Sequence, residues 1–394
     1  MSSATNTAPT IPGAAAHSHG PGSPVPVQTR SQRFRSTTHA DFPAVTGREV
    51  DWKHTPVDKI RDLIDGELDG SGLPTTVTEA PGVTTEWVGL EDARIGSAGM
   101  PEDRASANAW SRTEKALVVT LSAEEHTEVT IGRSGTDRTP RAAHTVIVAK
   151  PNARGLVVID NRGSVRLSEN VEVVVEDGAH LTVVSLQEWD DESVHLSAQF
   201  ARIDKSATLT HLVVSLGGSV VRVNPSAALA GDGATGKLYG LYFSDAGQHL
   251  EQQVFVHHIA PHTVSDVLYK GALNGDGART VWIGDVLIGR DATGTDSYEA
   301  NRNLVLSDGT RADSIPNLEI ETGDIAGAGH ASATGRFDDE QLFYLRSRGI
   351  SEEESRRLVV LGFLLEIVQK IGQAELEERL VAAVERELEA VESI

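Results

Sequence analysis

Pro316-Asn317-Leu318-Glu319-Ile320-Glu321-Thr322-Gly323-Asp324, then Gly329-His330-Ala331-Ser332-Ala333-Thr334-Gly335, then Phe337-Asp338-Asp339-Glu340-Gln341-Leu342-Phe343-Tyr344-Leu345-Arg346-Ser347-Arg348-Gly349-Ile350 form one stretch at the junction of two architectures. Strand-like residues precede it and strong helix formers follow it. A lone histidine, His330, stands among glycines, alanines and serines. Side chains that small leave the imidazole open to a metal or a partner.

Upstream, from about Val77 to Ile325, the pattern is one of short strands, such as Thr145-Val146-Ile147-Val148, Leu156-Val157-Val158-Ile159 and Leu212-Val213-Val214. Asp160-Asn161 and Gly217-Gly218 punctuate them as turns. No amphipathic helix long enough for a crossover separates them, which argues against a doubly wound sheet. A weak repeat is visible: Asp177-Gly178-Ala179, Lys205-Ser206-Ala207, Asp232-Gly233-Ala234 and Asp276-Gly277-Ala278 each precede a strand-like run, with alanines 28, 27 and 44 residues apart. A tight turn with a small inward residue suits stacked β-coils, the last interval spanning more than one coil. The pattern alone leaves a sandwich or jelly roll open.

Downstream the chain turns helical. Asp338 with Gln341 and Ser351 with Glu354 have capping-box spacing, and Gly349 ends the first helix. Leu358, Leu361, Leu365, Val368 and Ile371 form one apolar stripe, and Leu376, Leu380, Val384 and Leu388 repeat it in a last helix over about 374–389. At the other end, residues 1–40 hold no acidic residue and read as a disordered tail, with a transit peptide as the rival reading. Residues 42–66 read as a helical entry segment, with Thr55 as cap, Pro56 in the first helical position and Trp52 as a packing anchor. The expected division is a tail at 1–40, an N-terminal helical segment at 41–76, a β-core at 77–335 and a C-terminal helical domain at 336–394.

Leu318-Glu319-Ile320, the histidine in its small-residue run, and Gln341-Leu342-Phe343-Tyr344-Leu345 with Ser347-Arg348-Gly349-Ile350 together resemble the hallmark of the SufB/SufD family of iron–sulfur cluster assembly scaffolds. Gly47 to Pro56 resembles the family's N-terminal signature, with one extra residue before Trp52. Gln248-His249-Leu250-Glu251 and Tyr269-Lys270-Gly271 resemble shared blocks, read as core packing or subunit interface. The resemblance implies a mainly β fold, a right-handed parallel β-helix core flanked by N-terminal and C-terminal α-helical segments. Ala328 stands where the family often has cysteine, Ala331 replaces a glycine, and the sequence contains no cysteine. SufB needs a cysteine for cluster chemistry, so the resemblance points to the SufD branch. It implies a non-catalytic scaffold subunit in the cytoplasm, joined to SufB through the β-helix and to the ATPase SufC through the C-terminal helices. It also implies that His330 is a metal ligand near the SufB interface, where iron or an Fe–S cluster is held transiently rather than as a stable cofactor. Phe343, Tyr344, Arg346 and Arg348 are the expected partner-binding residues.

Composition limits the alternatives. Lys plus Arg is 35 against 57 Asp plus Glu, a balance of −22 that disfavours nucleic-acid binding. Without cysteine there is no disulfide framework and no thiolate ligation by this chain. No apolar run reaches the roughly 20 residues of a membrane helix. Gly231 to Lys237 matches the start of a P-loop, but Leu238 replaces the hydroxyl residue and a strand follows in place of a helix. His257, His258 and His262 form H-H-x-x-x-H, but adjacent strand residues face opposite ways, so these read as surface or stacked histidines. Asp338-Asp339-Glu340 compensates a helix dipole rather than forming a carboxylate site. The competing functions are a homodimeric β-helix binding protein and a β-helix polysaccharide lyase; no concentrated set of groove carboxylates and bases supports the second.

Overall fold

The computed structural model describes residues 34–336 and 339–390. It is mainly β, a parallel solenoid of about eight coils with helices at both ends. Strands β1 (Thr75–Val77), β2 (Val83–Val88) and β3 (Ala116–Leu121) open it, and β4 (His126–Ala149) and β5 (Arg154–Val175) each run through both faces of a coil. Two rows then separate. One row stacks the second half of β5 with β7 (Val194–Ile203), β9 (Val220–Leu229), β11 (His249–His258), β13 (Arg279–Ile288) and β15 (Arg311–Ile320). The other stacks the first half of β5 with β6 (His180–Trp189), β8 (Thr208–Ser215), β10 (Thr235–Ser244), β12 (Val264–Leu273), β14 (Thr295–Val305) and β16 (Ile325–Gly335).

The coil is set at its corners. Six steps into the second row pass through a residue with positive φ, Asn152 at 63°, Gly178 at 69°, Ser206 at 54°, Gly233 at 71°, His262 at 57° and Gly294 at 68°, while the last, from β15 to β16, does without one. These residues form a column. The Gly178 N–H donates to Lys205, that of Ser206 to Asp232, that of Gly233 to Pro261 and that of His262 to Thr293, always one coil on. Behind three of them Ala179, Ala207 and Ala234 point into the core, fully buried, as the repeat predicts. Gly277 belongs elsewhere: with Gly247 and Gly309 it forms the opposite corner, entering β11, β13 and β15. The long last interval therefore spans one and a half coils.

Between the rows lies a core built mainly of Val, Leu and Ile from alternate positions of the stacked strands. Large residues enter only where a neighbour gives way. Gly240 pairs with Tyr269 and Tyr242 with Gly271 in the register of β10 on β12. A methyl group added at Gly271 would come within 1.7 Å of the Tyr242 ring, and one at Gly240 within 2.0 Å of the Tyr269 ring.

Both outer faces are covered. Over the first row lie the segment from Val45 to Leu68, which includes α1 (Arg61–Asp65), and α2 (Arg104–Arg112). Glu251 of β11 is the hub of that contact. Its buried carboxylate accepts from the Thr55 hydroxyl at 2.9 and 3.0 Å, from Arg222 at 3.1 Å and from Gln253 at 2.7 Å, and lies 2.9 Å from His249. Thr55 thus does not cap a helix, as its position before Pro56 suggested; its hydroxyl goes to a carboxylate with greater need of a donor. Arg222 lies over the Trp52 ring at 4.2 Å and reaches Asp103 at 2.8 Å, so Trp52 is a packing anchor. The Gln248–Glu251 block therefore serves intrachain packing, its outward side covered by this chain's own N-terminal segment. Arg35 and Ser36, placed by sequence in the tail, bond Glu102 and Pro101; the expected tail up to residue 33 lies outside the described residues.

Over the second row lie α4 (Glu352–Val368) and α5 (Ala374–Ala390). Ser351 caps α4 through the Glu354 N–H at 3.1 Å, as its spacing predicts, while the Asp338–Gln341 cap lies outside the described residues. The α4 face that packs is Val360, Leu361, Leu364, Ile367 and Val368. Leu358 is exposed and Leu365 only partly covered, so the stripe drawn through them is rotated from the true contact. Lys270, buried on the outside of β12, donates to the Phe363 carbonyl at 3.1 Å and pairs with Glu366. Arg379 of α5 bonds Asp160 at 2.7 Å and Glu188.

Gly271→Ala should lower the unfolding free energy by at least about 2 kcal/mol, because the Tyr242 ring has no free volume to retreat into. Gly323→Ala, where an added methyl touches nothing within 4 Å, should leave it unchanged. Urea unfolding of the two variants measures both.

Candidate functional site at the open end of the solenoid

A parallel stack has two ends, and this protein treats them differently. At the start, β1 pairs antiparallel with β4 and β2 antiparallel with β3. At the other end β15 pairs only with β13 and β16 only with β14, leaving one edge of each without a partner strand among the described residues. Such an edge presents unpaired backbone N–H and C=O groups, a template for a further strand.

His330 lies in the middle of β16, in register with Glu299 of β14. Pleat alternation puts both on the inward side. Asn303 and Thr334, four pairs further along, meet at 3.4 Å, and Ser332 reaches across to Ser314 of β15 at 2.8 Å. No strand among the described residues pairs with β16 beyond His330, and the residue is exposed although it faces the interior column. Strand β16 is otherwise almost all Gly, Ala and Ser, so no bulk shields the imidazole or blocks an incoming strand.

Below this last coil the interior turns polar. Tyr242 donates to Asn303 at 2.7 Å and Asn301 to Tyr242 at 2.8 Å. Glu299 is 1% exposed, and no side chain bonds its carboxylate oxygens; the backbone N–H of Asn317 offers the only offsetting donor among the described residues. Burial, reinforced by the Asp285 charge, pushes it up to about 8. The Tyr269 hydroxyl and the Trp282 ring nitrogen are likewise unpartnered. Sequence reading missed Glu299, whose only signal is a charged residue at an inward position of a strand.

The expected partner-binding residues follow immediately in α3 (Asp339–Ser347) and its C-terminal turn. Phe343 is 74% and Tyr344 56% exposed. Arg348 stacks on Tyr344 at 5.0 Å, and Arg346 pairs with Glu352 at 3.2 Å. Gly349, with φ 85°, ends the helix as expected.

The other sequence candidates separate. His258 is buried and bonds Thr263 at 2.8 Å and Ser265 at 2.9 Å, His262 is a corner residue bonded to Asp232 at 2.9 Å, and His257 stacks on Phe255. Gly231–Lys237 is a corner running into β10, with no helix N-terminus to hold phosphate. Among the described residues no group of three His, Asp or Glu side chains converges on a metal position, and no helix is long and apolar enough to cross a membrane.

These features define a scaffold-like parallel β-solenoid, open at one end and clamped by helices along its faces. The chain belongs to the SufBD family of iron–sulfur cluster assembly proteins. The model of the SUF system FeS cluster assembly SufBD core domain matches residues 131–363, more than half of the sequence. An iron–sulfur cluster assembly SufBD family protein of Mycobacterium bovis is 50% identical over 374 residues, 92% of this chain and 94% of its own length. One from Mycobacterium leprae is 48% identical over 382 residues, 94% and 97% of the two chains. The iron–sulfur cluster assembly protein SufB of Bacillus subtilis is 28% identical over 226 residues, 54% of this chain and 48% of its own.

Burial holds the His258 imidazole neutral, lowering it to about 3, with the neighbouring His257 adding to the effect. The unfolded chain takes up that proton near pH 6.5, so the stability His258 contributes is complete above pH 6.5 and is lost as pH falls toward 3. Thermal melting between pH 7 and 4 should show this decline, with a shallower slope for His258→Gln.

Proposed function

We propose that this chain is the SufD-type scaffold subunit of an iron–sulfur cluster assembly complex in the cytoplasm. It pairs through the open end of its solenoid with a SufB-type chain and through α3 and the following helices with the SufC ATPase. The observation that carries this reading is an unpaired terminal coil presenting His330, in a sequence without cysteine. A cluster formed at this end needs thiolates from another chain, and this chain offers an imidazole. Iron and the cluster are cargo here, held transiently at the junction. ATP hydrolysis belongs to the partner, and this chain acts as a non-catalytic scaffold.

The route from ATPase to junction is short. Phe343 and Tyr344 are large exposed aromatics at the end of a connection that leaves β16 a few residues earlier. A pull on α3 acts directly on the strand that carries His330. Helices α4 and α5 are clamped to the second row by Lys270 and Arg379, which gives that pull a fixed reference.

Co-expression with SufB-type and SufC-type partners, followed by pull-down on this chain and iron analysis, tests the proposal. Both partners should co-elute. Phe343→Ala with Tyr344→Ala should lose most of the ATPase while keeping the SufB-type chain, and His330→Ala should keep both proteins with several-fold less iron. A stable particle of two copies of this chain that retains neither partner would replace this reading with the homodimer.

A further inference from the structure

We propose that Glu299 is a second metal ligand, stacked one coil beneath His330, and that the two residues form a half-site for ferrous iron inside the open mouth of the solenoid. The inference rests on the reading of His330 given above and extends it into the interior of this chain.

Glu299 has no ion-pair or side-chain partner. It is almost wholly buried, the backbone N–H of Asn317 is the one donor turned toward its carboxylate, and the charged group acting on it is the like-charged Asp285. The other buried glutamates of the solenoid contrast with it: Glu251 and Glu169 each hold an arginine and a histidine, and Glu172 accepts from two backbone N–H groups at 2.7 and 3.0 Å. Buried carboxylates are ordinarily paired, bound to metal or held protonated, because an unpaired charge is costly out of water. Space is also kept clear for it. The carboxylate lies beside Gly284 of β13, where an added methyl group would meet its Oε2 at 2.5 Å and the Trp282 ring at 2.2 Å.

The register supplies the second ligand. Glu299 and His330 are directly paired neighbours in parallel strands, on the same inward side of the pleat. Neighbouring strands lie about 4.8 Å apart. A first-row divalent ion binds imidazole nitrogen and carboxylate oxygen at about 2.0–2.2 Å, so two neighbouring donors on one ion lie roughly 3.0–3.5 Å apart. Side chains stacked on adjacent strands are within reach of that separation by rotation of the glutamate side chain. Oxygen and imidazole donors suit ferrous iron. The unpartnered Tyr269 hydroxyl and Trp282 ring nitrogen lie in the same interior and can hold the waters that complete the inner side of the coordination sphere. The outer side is open to a second chain.

Equilibrium dialysis of the purified chain against ferrous iron alone, without oxygen, tests the site. Wild type should bind one ion per chain. Glu299→Gln and His330→Ala should each weaken binding about tenfold or more, and the double variant should be little worse than either, since both remove the same ion. Glu299→Asp, which keeps the charge and shortens the reach, should fall between, and it serves if Glu299→Gln does not fold. Binding by Glu299→Gln and Glu299→Asp equal to wild type, while His330→Ala loses it, would overturn the role of Glu299 and leave the scaffold reading standing. No binding by wild type, or equal binding by all variants, would also overturn the half-site. The scaffold reading is judged separately by co-elution of the partners.

Discussion

A stack of parallel strands cannot close on itself, and most of this structure follows from how the two ends are handled. Every coil satisfies its backbone on the coil before and the coil after. The first coils borrow antiparallel partners, β1 and β2, which end the ladder within the chain. The last coil has none among the described residues, so β15 and β16 keep one free edge each. An exposed edge is normally blunted, because it recruits other chains. Here β16 carries no proline, lysine or bulky residue to do so. Recruitment at this edge is consistent with assembly as the task of a SufBD family protein.

The faces are closed where the end is open. Glu251 and Arg222 tie the N-terminal segment to the first row, with Thr55, Trp52 and Asp103 completing the contact. Removing one member of such a buried pair strands the other, typically at about 3–5 kcal/mol. The second row is covered by α4 and α5, anchored at Lys270 and Arg379. Much of both sheets is thereby covered, while Tyr298 and Ile320 near the mouth and the aromatics of α3 stay exposed. The interior mixes aliphatic layers with buried polar ones: Arg133, Glu169, His195, Ser197, Gln199 and His211 form a bonded chain through the early coils, and Tyr242, Asn301, Asn303 and Glu299 lie near the mouth.

Much of the fold was legible because a coil repeats its local demands. A positive-φ residue followed by a small buried one recurs at the corner into the second row, and Gly178-Ala179, Ser206-Ala207 and Gly233-Ala234 display it. Asn152-Ala153 and His262-Thr263 meet the same demand with other residue types, so the repeat looked weaker than it is. Gly277 looked like the same corner because both corners need the same turn chemistry. Helix α2 passed unnoticed: nine residues between strands, capped by Asp103 on the Ser106 N–H at 2.8 Å, leave little periodicity to read. In α4, hydrophobic residues surround much of the helix, so spacing alone could not choose between the face with Val360, Leu364 and Ile367 and the one with Leu358 and Leu365.

The sequence by itself determined a mainly β chain, the position of the strand-to-helix junction, the exclusion of thiolate chemistry in this chain and the prominence of His330, while the choice of a β-helix over a sandwich came from the family resemblance. The first four are properties of local composition and spacing. Tertiary structure alone decided that Thr55 serves Glu251, that the Gln248–Glu251 block is covered by the chain's own N-terminus, and that Glu299 lies unpaired beneath His330. Each of those depends on which strand stacks on which, and in what register. Residues brought together that way are about 30 residues apart or far more, and no local pattern records which of them will meet.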